Sequence, residues 1–167
     1  MKRINLCSSF VFSVGLLLAS FTTMGFAGNP NCSKVGGAIL TNVGGFGQID
    51  GSPTTMGVAT GDLKGAIGVQ IVSANPDFTS INPDFTSITV QHHWVTDDGK
   101  TLTINQATLH GTFVAPELLA VEYKSHLSGG TGRFSTATGD TSYIGEIDFN
   151  TDHVVLRYSG NVCFAAN

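Results

Sequence analysis

The chain has 167 residues, a formal net charge of −4 and only 12% charged residues, with no basic cluster. That balance argues against nucleic acid and anionic membrane as partners. Sparse charge with 21 glycines and abundant Ser and Thr favours a compact β domain over disorder.

Residues 1–27 read as a cleaved secretory signal peptide. Lys2 and Arg3 precede an apolar run from Phe10 to Leu18, and Gly25 and Ala27 put small residues at the −3 and −1 positions of a cleavage site. The run is too short to span a bilayer, and no later run is long or apolar enough, so no membrane span is expected. Cys7 lies ahead of the apolar core and is not a lipid-attachment site. The leader carries two of the eight cations and none of the twelve acidic residues, which leaves the exported chain more acidic. Residues 28–167 then form a single domain, long enough to bury roughly two-thirds of its unfolded surface. The expected location is secreted or periplasmic.

Two cysteines survive cleavage, Cys32 and Cys163, one near each end. In an oxidising compartment an even pair reads as a disulfide, with two free buried thiols as the alternative. Closing so long a loop stabilises by roughly 4–5 kcal/mol in the chain-entropy account. Neither end supplies the further Cys or His that a zinc site requires, so no metal and no cofactor are expected.

Helical periodicity is almost absent, and period-two alternation is common. Strands are expected around 35–41 and 54–60. "KGAIGVQIVS" sets Ile67, Val69 and Ile71 against Lys64, Ala66 and Gln70. The tandem heptad "NPDFTSINPDFTSI", Asn75 to Ile88, puts its two phenylalanines on opposite faces of any continuous strand and carries two prolines, so it reads as a lengthened loop at a barrel mouth. "SITVQHHWV" places Ile88, Val90, His92 and Trp94 on one face. Asp98-Gly99 in "TDDGK" suits a tight hairpin with both central residues at φ > 0. "TLTI" resumes the alternation, whose phase slips near Asn105-Gln106 as at a β-bulge. "LAVEYKSHL" sets Leu119, Val121, Tyr123 and Leu127 against Glu122, Lys124 and His126; "SYIGEIDF" sets Tyr143, Ile147 and Phe149 against Glu146 and Asp148; "HVVLRYSGNV" sets Val154, Leu156 and Tyr158 against Arg157 and Asn161. About eight strands emerge. The fold class is all-β, an eight-stranded antiparallel β-barrel that leaves no exposed edge, with a sandwich as the rival.

"SGGTGRFSTATGD", residues 128–140, has the look of a phosphate loop. It lacks the Lys of a P-loop, Ser135 stands where a dinucleotide fingerprint needs its third Gly, and no helix follows. It reads as a turn. "ATGD" also occurs at 59–62, and both copies read as strand–turn–strand corners, with Asp bonding backbone amides. Adjacent His92 and His93 face opposite ways and cannot chelate one metal, and "LHGTF" has no nucleophile elbow to complete a hydrolase.

Gly129-Gly130-Thr131-Gly132-Arg133-Phe134, closed by Gly139, resembles the signature of dirigent and allene-oxide-cyclase-type barrels, and residues 119–164 are similar in layout. The resemblance implies a bacterial secreted member, an eight-stranded barrel with an interior cavity, and a motif that is structural. It implies no activity, since no site residue of that family can be matched here.

With the more apolar face of each strand inward, the interior collects His92, Trp94, Tyr123, Tyr143 and Tyr158, with Glu122, Glu146 and Asp148 outside. Such a lining suits a small, largely apolar ligand; the alternative is rings that merely fill a solid barrel. Three functions therefore stay open. One is a small hydrophobic ligand held in the barrel. Another is a cyclase or coupling-guide enzyme that holds a reactive substrate in one conformation. The third is a structural or surface-interaction role, with a homo-oligomer left open.

Overall fold

The computed structural model describes residues 31–42, 48–49, 51–75 and 86–165. The leader, residues 1–27, and most of the tandem heptad lie outside them. Ten strands follow in chain order: β1 (Asn31–Asn42), β2 (Gln48–Ile49), β3 (Ser52–Ala59), β4 (Gly65–Asn75), β5 (Thr86–Thr96), β6 (Thr101–Ile104), β7 (Ala107–Ala115), β8 (Leu118–Gly130), β9 (Gly139–Asp148) and β10 (His153–Phe164). All pairings are antiparallel. Strand β1 pairs with both β10 and β3, which closes the sheet. β6 and β7 share one stave between β5 and β8, so the barrel has eight staves, with β2 as a short flap on β3. Of the two architectures compatible with the alternation, the chain forms the barrel.

The alternation survives because most inward positions are apolar and each outward one tolerates water. Along β8, Leu119, Val121, Tyr123 and Leu127 are buried, while Glu122, Lys124 and His126 are exposed. At Asn105-Gln106 the stave skips one inward step, so Ile104 and Ala107 both point inside. The Gln91 amide donates to the Ile104 carbonyl at 2.6 Å, and Asn105 N–H donates to the His126 carbonyl, so the break strands neither group.

One end of the barrel is plugged by two 3₁₀ turns, Gly61–Leu63 and Gly132–Phe134, whose Leu63 and Phe134 side chains are buried. The turns at 116–117 and 149–152 sit at the other end. The "GGTGRF" stretch is the second plug. Thr131 Oγ1 accepts the Thr101 N–H at 2.9 Å, Thr131 N–H donates to the Thr101 carbonyl, and the Arg133 guanidinium lies over the Phe134 ring, 4.7 Å from its centre. Gly132 has φ +57, where a side chain is strained, and a Cβ on Gly130 would fall 2.1 Å from the Thr101 carbonyl oxygen.

Two local expectations need correction. The β5–β6 connection is the four-residue loop 97–100, in which Gly99 N–H donates to the Thr96 carbonyl. Only Gly99, at φ +78, is left-handed; Asp98 is not. The added length removes the need for two left-handed residues. The two "ATGD" copies also differ. Asp62 accepts the Gly36 N–H at 2.8 Å from within the first plug, whereas Gly139-Asp140 opens β9 beyond the second, and Asp140 bonds His126.

Cys32 and Cys163 are directly opposed in the β1–β10 ladder and form a disulfide that ties residues 131 apart. It sits where the ribbon rises past the plugged end, where Asn31–Lys34 are exposed and little packing holds the strand.

Candidate functional site

The barrel brings all five interior residues inside: His92, Trp94, Tyr123, Tyr143 and Tyr158 are each no more than 5% exposed. They divide into two groups with different work. Trp94 and Tyr158 meet edge to face, with ring centres 5.4 Å apart, beneath the first plug. Trp94 Nε1–H donates to the Leu63 carbonyl at 2.8 Å. The Tyr158 hydroxyl accepts the Leu63 N–H at 3.0 Å and donates to the Thr60 carbonyl at 2.8 Å. This pair anchors the turn that closes the barrel.

His92, Tyr123 and Tyr143 form the second group, from three strands. Tyr123 and Tyr143 face each other in the β8–β9 register and stack at 4.5 Å; the imidazole stacks on both, at 5.7 and 5.1 Å. The Thr141 and Ser125 hydroxyls both donate to the Tyr143 hydroxyl, at 2.9 and 3.2 Å, and stand 3.0 Å from each other. His92 Nε2 and the Tyr123 hydroxyl share a hydrogen bond of 2.9 Å, and His92 Nδ1 has no partner. In either tautomer one buried donor goes unmatched, the Nδ1–H or the Tyr123 O–H. Leaving it so costs about 1–3 kcal/mol.

Burial, and next the charge of His93, lowers the His92 pKa to about 4. Burial raises the Tyr123 hydroxyl well above its ordinary value and raises that of Tyr143 as well. All three groups are therefore neutral at physiological pH. Glu122 and Glu146 lie outside, exposed, and Asp148 is half-buried at the end of β9 with its carboxylate accepting from Thr151. Among the described residues no cluster of His, Cys, Asp and Glu could hold a metal ion, and no helix is long and apolar enough to cross a membrane.

Below the stacked rings, towards the end that carries the 116–117 and 149–152 turns, lies a cavity of about 40 Å³. Val69, Ile71, Ile88, Val90, Leu109, Ile147, Val154 and Leu156 form its apolar wall, with Thr41, Thr55 and Tyr123 as polar members. Of the five expected lining residues only Tyr123 borders it. The Thr41 hydroxyl is buried and has no hydrogen-bond partner. Sequence reading passed over Thr41, Thr55, Ser125 and Thr141 because it sorted positions by hydrophobicity. The signal that could have found them is phase alone: Thr41 stands two residues from Ile39, and Ser125 two from Tyr123.

Phe113 and Phe149 meet nearer the same end, with ring centres 6.3 Å apart. The arrangement offers a narrow apolar slot with one free hydroxyl on its wall and neutral aromatic groups behind it. That can hold and orient, but it presents no charged group to move a proton. No protein-family model, curated protein or solved structure matches the chain.

Proposed function

We propose that this is an exported small barrel that binds the slender apolar part of a small ligand in the slot between Thr41, Tyr123 and the Ile88–Val90 wall. One observation carries the reading: Thr41, 3% exposed and with its hydroxyl unpartnered, lines a cavity whose walls are almost wholly apolar. A buried hydroxyl is ordinarily satisfied, and one left open beside a void has its missing partner there. At about 40 Å³ the slot is well below the several hundred Å³ of a drug-sized site. It fits one or two waters or the tip of a ligand whose bulk lies further out. The disulfide and the leader-like N-terminus are compatible with export, and the resemblance of "GGTGRF" to the dirigent and allene-oxide-cyclase signature is part of the same reading.

The test is a titration of short straight-chain alcohols followed by methyl NMR of Ile88, Val90 and Leu109. Saturable shifts are expected in the native chain. Val90→Phe, which fills the slot, should abolish them, and Thr41→Val should weaken them for an alcohol but not for the matching alkane. Unsaturable shifts, or shifts unaffected by Val90→Phe, would leave the structural reading. The stacked interior rings favour that second reading, since they fill the barrel's middle.

A further inference from the structure

The outer face carries an apolar row that follows the register across five neighbouring strands. Val155 of β10 is paired with Leu40 of β1, Leu40 with Val58 of β3, Val58 with Ala66 of β4, and Ala66 with Val95 of β5. All point to solvent: Val95, Val155, Leu40 and Val58 expose 42%, 43%, 45% and 52% of their surface, and Met56, two residues along β3, exposes 52%. Four inter-strand steps make the row about 19 Å wide. No charged residue interrupts it.

We infer that the protein self-associates through this row, the partner being a second copy of the same chain. A contiguous apolar patch of several hundred Å² marks an interaction surface on a protein otherwise at ease in water. It also suffices as the dry centre of the roughly 800 Å² that each partner contributes to a stable interface, with the polar rim supplying the rest. The rim is self-complementary. Glu146 is paired with Val155 in the ladder, and Arg157 stands diagonally across from it, beside Ala38 and Ile144. Both are exposed, and neither has an ion-pair partner among the described residues. A two-fold axis running between them sets each Arg157 against the other copy's Glu146. The surface is separate from the interior slot and does not depend on what the slot holds.

Sedimentation and light scattering of the exported chain across the micromolar range test this. A concentration-dependent dimer is expected. Leu40→Lys should raise its dissociation constant by more than about tenfold, because the ammonium would be buried without a partner. Val58→Thr, which keeps a good strand former at an exposed position, should weaken the dimer without lowering monomer stability by circular dichroism. Glu146→Arg and Arg157→Glu should each weaken it, and the double exchange should restore it. A monomer at every concentration would overturn the inference. So would a dimer indifferent to Leu40→Lys and Val58→Thr, or an exchange pair whose effects only add.

Discussion

The Tyr158 hydroxyl donates to the Thr60 carbonyl across 2.8 Å, joining the last strand to the turn that follows β3. Because the same oxygen accepts the Leu63 N–H, one phenol satisfies two backbone groups of the plug. Tyr158→Phe keeps the ring against Trp94 and removes both bonds. It should destabilise the fold by about 1–3 kcal/mol in urea unfolding, the cost of buried groups left unpaired. A loss too small to resolve would mean that water or a shifted turn replaces the phenol.

His92 makes stability depend on pH. Its folded pKa, about 4, lies below the unfolded value, so the unfolded chain binds the extra proton between pH 6.5 and 4. The contribution is whole above pH 6.5 and is lost as the pH falls through that window, by about 3 kcal/mol in all. Asp98 and Asp148, held below the usual carboxylate range by donation from the Thr96 and Thr151 hydroxyls, contribute stability that is lost only as the pH falls below the ordinary carboxylate value. Melting curves from pH 7 to 4.5 should therefore show a steady decline that His92→Phe flattens. An equal slope in the variant would assign the decline to other groups.

The glycine-rich plug should respond to added side chains in a definite order. Gly132→Ala strains a left-handed residue and presses only on the flexible Lys100 side chain, at a cost of about 1–2 kcal/mol. Gly130→Ala drives its Cβ into the Thr101 carbonyl and should cost clearly more. Added ATP or GTP should leave the melting temperature of the native chain unchanged. A nucleotide-dependent rise would return the stretch to phosphate binding.

Reduction tests the clasp between the chain ends. Intact mass before and after reduction and alkylation should show Cys32 and Cys163 protected until reduced. The Cys32→Ser/Cys163→Ser pair should lose on the order of 4–5 kcal/mol in urea, as expected for closing a very long loop. Free thiols in the unreduced protein would refute the link.

Alternation by itself determined which side of each strand turns inward. A strand's side chains alternate regardless of its neighbours, so Tyr123, Tyr143 and Tyr158 could be assigned to one interior from local pattern alone. The break at Asn105-Gln106 was legible for the same reason, as a change of phase. The pairing of Cys32 with Cys163 followed from count and compartment. Only closure of the sheet decided which inward residues became neighbours, because register joins segments far apart in the chain. It separated Trp94 and Tyr158, which hold the plug, from the His92, Tyr123 and Tyr143 stack. It left the Thr41 hydroxyl beside a void instead of beside a partner. And it lined up Val155, Leu40, Val58, Ala66 and Val95, each unremarked in its own strand, into one apolar row, since faces are set within a strand but patches are set between strands.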